Sequence, residues 1–400
     1  MTILLRRSQP RLDDWAAPAI ARWFGSRTAA LGTFSTRLDP KANSLNAIRL
    51  VLAATVIVSH SWSIGAYGRT PSHGGFAPGG WAVDAFFVLS GYLITGSRLN
   101  NTLLSYLKRR VLRIYPGFVV CLLSVVLVFA PIGYLHLHHT LWGYASTPNT
   151  PVRYLFENLG LKMHLPAVAG TPGGGRAWAG TLWTLYFEFL CYLIVGFVAC
   201  WGAYRRRPIV AVLMLAAATA ISFQNNHVDH HTDTANLVRL LPFFLAGSVV
   251  YLLRDRIPCT WWLAAACAAS LVFVPNFGPR FVVICALPMT YLLLYLGAVV
   301  PIALGRRNDI SYGIYMYGYP VQQLLRYFHF SSQMLFIAAS IGGTIPLAVA
   351  SWFIVERPAM RWRSVQSQPE RGSAVPASVS APDPAGPRRI PAAVRGSVSR

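Results

Sequence analysis

Charged residues are scarce in this chain of 400 residues: they make up 12% of it, and only 13 side chains are acidic. Hydrophobic residues account for 54%, and the mean hydropathy is +0.45. A composition this apolar and this weakly charged excludes a soluble globular protein. Apolar runs of about 17 to 25 residues recur along most of the chain, and each is long enough to cross a bilayer as a helix. The sequence therefore predicts an integral membrane protein.

Paired cysteines are also lacking. The six cysteines lie within or beside apolar runs, and none has the spacing of a CxxC motif or of zinc ligands, so a disulfide framework is not expected. Two histidine-rich stretches, HLHH at 136–139 and HVDHHTD at 227–233, fall in loops with flexible spacing. We interpret both as solvated loops, and we expect no metal site.

Basic residues, in contrast, are numerous and give a formal net charge of +22. A nucleic-acid binder would need them on one continuous face. Here they cluster in alternate loops, as the positive-inside rule predicts for a membrane protein. The predicted fold is all-α, with about ten transmembrane helices in one bundle and both termini cytoplasmic. The predicted spans are at about 45–64, 80–97, 110–131, 179–201, 208–223, 237–253, 260–275, 280–302, 310–328 and 333–355.

The predicted organisation has three parts. Residues 1–44 form a cytoplasmic N-terminal segment with a short amphipathic helix near 15–24, and residues 45–358 form the membrane domain. Residues 359–400 are rich in Pro, Ser, Ala and Arg and are expected to form a disordered cytoplasmic tail.

The first span carries an arginine and a histidine, Arg49 and His60. Ionisable residues inside a span usually face a protein interior or water and mark functional sites. On an α-helix, their spacing of eleven residues brings them to within roughly 20° of the same face and about 16 Å apart along the axis. We therefore expect both side chains on one functional face.

Two carboxylates are expected in the outer half of the bundle with His60. Glu188 is the only carboxylate well inside a predicted span, and Asp84 opens the second span. A carboxylate beside an imidazole orients it and favours its protonated form, as in many general bases. The alternative is that each residue makes one interhelical hydrogen bond. We favour a functional role for His60 and Glu188, and we weigh function equally against helix capping for Asp84.

The inner half has a different character. The stretch LKRRVLRIYP at 107–116 places Arg110, Arg113 and Tyr115 at the cytoplasmic mouth of the third span, at the depth of Arg49. Such a cluster can bind phosphates, although cytoplasmic loops also collect arginine simply to fix topology. A polar stripe on the ninth span, which includes Tyr315, indicates either a cavity or a hydrogen-bonded seam between helices.

Six motifs occur in a specific order. They are R-x10-H at 49–60, VDAFFVLSGYLIT at 83–95, RRVLRIYP at 109–116, LWTLYFEF at 182–189, ISYGIYMYGYP at 310–320 and WFIVERP at 352–358. In this order they resemble the integral-membrane acyltransferase-3 family, bacterial enzymes that O-acylate surface and secreted polysaccharides.

The resemblance implies a ten-helix bundle in the inner (plasma) membrane that takes an acyl group, commonly acetyl, from acyl-coenzyme A in the cytoplasm. The acceptor would be a sugar hydroxyl of an exopolysaccharide, a lipopolysaccharide or a glycolipid. No cofactor would be tightly bound, since acyl-CoA is a co-substrate. The resemblance also implies that His60 and Arg49 are essential and that Glu188 occupies the acidic position of the family.

The resulting hypothesis gives the catalytic roles to His60 and Glu188. His60, oriented by Glu188, either deprotonates the acceptor hydroxyl or first accepts the acyl group itself. The substrate-binding candidates are Arg49, Asp84, Arg110, Arg113, Tyr115 and Tyr315. The alternative is a polysaccharide or small-molecule transporter that uses the same residues as a relay, for which the sequence shows no internal repeat. A membrane scaffold with purely structural polar residues is a third possibility.

Overall fold

The computed structural model describes residues 32–39, 42–225, 232–305 and 308–365. Over these residues the protein consists of helices and three isolated β-bridges, with no strand. In chain order the first helices are α1 Leu45–Gly65, α2 Pro78–Leu99, α3 Leu103–His138, α4 Pro151–Asn158, α5 Thr184–Val198 and α6 Pro208–Gln224. They are followed by α7 Asp233–Leu252, α8 Trp261–Phe277, α9 Pro279–Val299, α10 Ser311–Leu325 and α11 Gln333–Ser351. A π turn at Trp352–Glu356 joins α11 to a last helix, α12, at Arg357–Val365.

Each of the ten predicted spans coincides with one of these helices. The largest difference is in α3, which begins at Leu103 rather than near 110, because its basic residues lie on the helix rather than before it. By length and apolar composition, five segments can cross a membrane: Leu45–Gly65, Leu103–His138, Asp233–Leu252, Pro279–Val299 and Gln333–Trp362. These helices confirm the all-helical class of a membrane protein, while the number of ten spans and the orientation of the termini stay predictions.

The two flanking segments are partly structured. Phe34, in the predicted N-terminal segment, is completely buried, and its ring lies 5.1 Å from that of Tyr291 on α9. At the other end α12 includes residues 359–365, which belong to the predicted tail. The predicted helix near 15–24, the rest of the tail and most of the stretch 227–233 lie outside the described residues.

Helices α2 and α7 approach each other more closely than side chains would allow. A Cβ atom at Gly91 would lie 1.9 Å from the carbonyl oxygen of Phe244, and one at Gly247 would lie 2.1 Å from that of Val88. Small residues permit this kind of backbone contact between membrane helices. The contact sets the relative position of the two helices, and with it the position of Asp84 opposite Arg239.

Helix α10 is almost completely enclosed by the bundle. A Cβ at Gly313 would lie 2.8 Å from Ala348 of α11, and one at Gly318 would lie 2.7 Å from the side chain of Ile57 on α1. Gln322 Nε2 donates a hydrogen bond of 2.8 Å to the carbonyl oxygen of Ile57. The polar stripe predicted for this helix therefore faces protein. We call the end of the bundle where α1, α3 and α10 begin the inner end, and the opposite end the outer end.

Candidate active site

At the inner end, Arg49 and Arg113 bind the same carboxylate. Arg49 Nη1 lies 2.7 Å from Asp309 Oδ2, and Arg113 Nη2 lies 2.8 Å from the same oxygen. Asp309 belongs to the connection before α10, and Ser311 donates to its Oδ1 from the backbone nitrogen and from the hydroxyl. Burial by itself would raise the pKa of Asp309, but the two arginines and the Ser311 hydrogen bonds lower it to about 2. Asp309 is therefore ionised at neutral pH.

Arg113 has a second acidic partner. Its Nη1 lies 3.0 Å from Oε2 of Glu356, whose side chain is only 1% exposed, and the hydroxyl of Ser351 donates to Oε1 of that carboxylate. Arg49 and Arg113 thus lie together at the inner end, joined through Asp309, and the charge of Arg113 is offset by two carboxylates. We call Arg49, Asp309, Arg113 and Glu356 the inner ion network.

The sequence reasoning missed both carboxylates of this network. Glu356 stands inside the motif WFIVERP, and Asp309 immediately precedes ISYGIYMYGYP. The scarcity of acidic residues could have revealed them. Because so few carboxylates occur in the chain, each one beside a motif could have been predicted as the ion-pair partner of an arginine in another motif.

Arg110 and Tyr115 lie outside the network. The guanidinium carbon of Arg110 is 6.0 Å from the ring centroids of Tyr106 and Tyr192, and its buried Nε has no hydrogen-bond partner within the described residues. The ring of Tyr115 meets that of Phe189 edge-on at 6.2 Å. Of the three predicted residues, Arg113 is therefore ion-paired, Arg110 lies beside two tyrosines, and Tyr115 packs against an aromatic ring.

A small cavity of about 40 Å³ extends from Arg49 toward the middle of the bundle. Its walls come from α1, α2, α5 and α10 and are mostly aromatic or aliphatic. The lining residues are Arg49, Val83, Phe86, Phe87, Thr184, Leu185, Glu188, Ser311, Tyr312 and Tyr315. Three of the predicted site residues, Arg49, Glu188 and Tyr315, therefore share one cavity.

Glu188 is held by neighbours other than His60. Its Oε1 accepts hydrogen bonds of 2.6 Å from the hydroxyl of Ser90 and 2.5 Å from that of Tyr192. Its Oε2 has no hydrogen-bond partner within the described part of the chain. One carboxylate oxygen is thus fixed by the protein, and the other is left to accept from a ligand.

Tyr315 borders the cavity toward the outer end. Its hydroxyl donates to the carbonyl oxygen of Thr181 at 2.9 Å and lies 2.6 Å from the hydroxyl of Thr184, and its ring meets that of Phe86 at 5.7 Å. One turn further along α10, the ring of Tyr319 meets the imidazole of His60 edge-on at 5.2 Å. The face of α10 thus connects the cavity to His60.

His60 has a defined tautomer. Its Nδ1 lies 2.8 Å from the carbonyl oxygen of Val56. A carbonyl oxygen only accepts hydrogen bonds, so in the neutral imidazole Nδ1 carries the proton and Nε2 carries a lone pair. No residue in the described ranges forms a hydrogen bond with Nε2. The imidazole is therefore set up as a base by its own helix.

The expected contact between His60 and Glu188 is not formed. Within the described residues no hydrogen bond or ion pair joins them, because Glu188 on α5 faces the cavity while His60 faces α10 and the first turn of α2. The carbonyl of Val56 orients the imidazole instead. Sequence spacing indicated the depth of each residue but not the direction of its side chain.

Asp84 also turns away from His60. It is completely buried, and its Oδ1 accepts from Arg239 Nη2 of α7 at 2.7 Å. This ion pair agrees with the alternative of an interhelical contact. Among the described residues, no group of three or more His, Cys, Asp or Glu side chains is arranged to hold a metal ion.

Comparison with known proteins gives a consistent result. "Nodulation protein 10" of Rhizobium leguminosarum bv. viciae is 25% identical over 80% of this chain and 94% of its own length. The "O-acetyl transferase" of Shigella phage Sf6 is 25% identical over 79% of this chain and 96% of its own. "Exopolysaccharide production protein ExoZ" of Rhizobium meliloti (strain 1021) is 26% identical over 72% and 91%, respectively. No solved structure shows a significant match.

The family assignment follows from the extent of the match. The family model described as an acyltransferase domain matches residues 42–355, which include α1 to α11 and every motif up to the π turn. The chain therefore belongs to the acyltransferase-3 family of membrane acyltransferases.

Proposed function

We propose that this protein is an inner-membrane O-acyltransferase that moves an acyl group, in the first place acetyl, from acyl-CoA to a sugar hydroxyl of a surface or secreted polysaccharide or glycolipid. Family membership supports the acyl transfer. The names of two relatives, an O-acetyl transferase and an exopolysaccharide production protein, support the acetyl group and the glycan acceptor.

The observation that carries the proposal is the state of His60. Its Nδ1 donates to the carbonyl of Val56, and its Nε2 is free of protein hydrogen bonds within the described residues. A general base must present a lone pair within reach of the proton that it removes, and an imidazole is the side chain best suited to this near neutral pH.

In the proposed reaction, Nε2 takes the proton of the acceptor hydroxyl while the oxygen attacks the thioester carbonyl carbon. The carbon–oxygen ester bond forms, the carbon–sulfur bond breaks, and the departing thiolate of coenzyme A receives the proton from the imidazolium. In a route through an acyl-histidine, the same Nε2 would be the acylated atom. Nε2 is thus the reacting atom in both routes.

Arg49 is the proposed contact for the donor phosphates. Asp309 uses only its Nη1, and the residue lines the inner end of the cavity. The axial distance of about 16 Å from Arg49 to His60 is comparable to the length of a pantetheine arm. Arg113 would act through Asp309 as a positioning residue, since two carboxylates offset its charge.

Glu188 has a proposed role in the cavity rather than at the imidazole. Its free Oε2 can accept a hydrogen bond from an amide N–H of the pantetheine arm, while Ser90 and Tyr192 hold Oε1 in place. The carboxylate would then position the donor along the cavity.

The test is transfer of radiolabel from acetyl-CoA to glycan in membranes that contain the wild-type or the His60→Ala protein. Loss of the base should lower the initial rate by at least about 10²-fold at unchanged protein abundance. His136→Ala, which alters an exposed histidine at the end of α3, is the matched control and should keep the wild-type rate. Label that stays on coenzyme A with the wild-type protein would instead favour the transporter.

A further inference from the structure

A second cavity lies at the outer end and shares no lining residue with the cavity at Arg49. It has a volume of about 30 Å³ and lies between the end of α6, the start of α7, the start of α9 and Phe76 in the connection before α2. Four polar side chains line it: Ser222, Asn225, Arg239 and Arg280. None of the residues predicted from the sequence belongs to it.

Arg239 is oriented into this cavity by two contacts. Its Nη2 donates to Asp84 Oδ1 at 2.7 Å, and its guanidinium lies over the ring of Phe76 at 4.5 Å. Its Nε is buried and has no hydrogen-bond partner within the described residues. The Arg239 side chain also lines the cavity, where its positive charge would attract an anion.

Arg280 adds a second cation that has no acidic partner in the described part of the chain. It is exposed, and its guanidinium lies 5.6 Å from the ring centroid of Phe223 and 5.4 Å from that of Phe281. Two guanidinium groups thus line the cavity, and among the described residues the one carboxylate in contact with either of them is Asp84. The excess of positive charge and the planar donors suit a phosphate.

An apolar groove adjoins this cavity and shares Phe76 with it. The groove has a volume of about 460 Å³ and is lined by Leu52, Thr55, Pro71, Ser72, His73, Phe76, Pro78, Trp81, Ala82 and Leu271. Leu52 lies thirteen residues before the end of α1, so the groove reaches about 20 Å below the outer end of that helix. A soluble anion would not bind in such an apolar groove, whereas the apolar chain of a lipid would.

The first turn of α2 separates the cavity from His60, and it carries no side chains at two successive positions. A Cβ at Gly79 would lie 3.7 Å from Cε1 of His60 and 3.0 Å from the hydroxyl of Ser59. A Cβ at Gly80 would lie 3.7 Å from Nη2 of Arg239. A group attached to a phosphate at Arg239 therefore has only a glycine pair between it and the imidazole.

We propose that Arg239 and Arg280 bind the phosphate of a membrane-embedded, lipid-linked sugar acceptor, with its apolar chain in the groove and its sugar directed across Gly79 and Gly80 toward His60. Asp84 is a positioning residue in this site, since it holds the guanidinium of Arg239. Acylation of the bound sugar rests on the proposed function, whereas binding of the phosphorylated lipid does not.

The experiment measures equilibrium binding to the full-length protein in phosphatidylcholine nanodiscs. The probes are radiolabelled farnesyl phosphate, farnesol and inorganic phosphate. Farnesyl phosphate should bind at least about 10-fold more tightly than either other probe, because it alone engages both the cavity and the groove. Arg280→Gln should weaken farnesyl phosphate binding about 10-fold by removing a charged donor.

A second variant tests the groove, and a third is the control. Thr55→Trp fills the groove and should weaken farnesyl phosphate while leaving inorganic phosphate unaffected. Arg357→Gln alters an arginine that also lies over a phenylalanine ring, 5.5 Å from Phe353, but near the inner end, and should change nothing. His60→Ala should retain full binding, so a failure of acyl transfer and a failure of this site are distinguishable.

Two results would overturn the proposal. Equal affinity of Arg280→Gln and wild type would show that the cavity does not bind the phosphate. Inorganic phosphate that binds as tightly as farnesyl phosphate would show a site for a free anion without a lipid.

Discussion

The inner and outer ends of the bundle use charge in opposite ways. At the inner end, two arginines and two carboxylates from α1, α3, the connection before α10 and the π turn form one network. At the outer end, the imidazole of His60 and the guanidinium of Arg280 have no acidic partner within the described residues. The two ends therefore differ in how fully their charges are paired: both inner arginines have carboxylate partners, whereas at the outer end the ion pair of Asp84 with Arg239 stands beside groups that have none among the described residues.

Although both arginines at the inner end are paired, Arg49 still has donor nitrogens that no carboxylate among the described residues uses. Carboxylates bind both terminal nitrogens of Arg113, whereas Arg49 binds a carboxylate through one nitrogen and borders the cavity. The inner ion network therefore combines a fully paired arginine with the arginine that we propose as the contact for the donor phosphates. The following variants separate these two roles from each other and from the outer site.

The largest effect is expected for Arg113→Ala. It leaves Glu356, which is 1% exposed, as a buried charge without a cationic partner, and it should lower the free energy of unfolding by about 3–5 kcal/mol. Thermal unfolding of the purified protein in detergent measures this. Arg109→Ala removes a neighbouring arginine that bonds only to Ser105 among the described residues, and it should cost less than about 0.5 kcal/mol.

A double variant sharpens the first prediction. Glu356→Gln added to Arg113→Ala removes the uncompensated charge and should recover part of the lost stability. Equal unfolding temperatures for Arg113→Ala and Arg109→Ala would show that the network does not join the helices.

A smaller effect, with a pH dependence, is expected for Asp309→Asn. The pKa of Asp309 is lowered to about 2 in the folded protein, below its value of about 3.9 in an unfolded chain. Its ionised form therefore stabilises the fold fully above about pH 4, and this contribution is lost as the pH falls through about 2. The substitution should cost about 2 kcal/mol at pH 7 and about half as much near pH 3.

Denaturant unfolding of wild type and Asp309→Asn at pH 7 and pH 3 provides the measurement. A difference in stability that stays constant between the two pH values would mean that the carboxylate charge is not responsible for it.

The smallest effect is expected for Arg49→Gln. It should raise the KM for acetyl-CoA about 10-fold, equivalent to about 1.4 kcal/mol, because a donor to the phosphates is lost. The affinity for farnesyl phosphate should not change, since that site is at the other end. Arg357→Gln, also near the inner end, should leave the KM for acetyl-CoA as in wild type. An unchanged KM in Arg49→Gln would assign Arg49 to structure alone.

Much of the fold could be predicted from the local sequence. The apolar runs predicted every long helix of the bundle to within a few residues, apart from the early start of α3. Arg49, Glu188 and Tyr315 were recognised as site residues and do line one cavity. Hydrophobic length and the cost of burying a charge are local properties of a segment, so a single sequence reveals them.

The hydrogen-bond and ion-pair partners of the site residues could not be predicted in the same way. Glu188 contacts Ser90 and Tyr192 rather than His60, and Asp84 contacts Arg239. A contact between helices depends on how each one is rotated about its axis and on which neighbour it packs against. Here such packing is set by backbone contacts like those at Gly91 and Gly247.

The helical membrane class, the acyltransferase family and the separation of about 16 Å between Arg49 and His60 on one helix all follow from the sequence. The packing of the helices was needed to see that the carbonyl of Val56 orients His60, that Asp309 and Glu356 pair the inner arginines, and that Arg239 and Arg280 line a second cavity. The reason is that the helical repeat positions a side chain along its own helix, whereas its partners come from segments that are distant in the chain and meet only when the bundle packs.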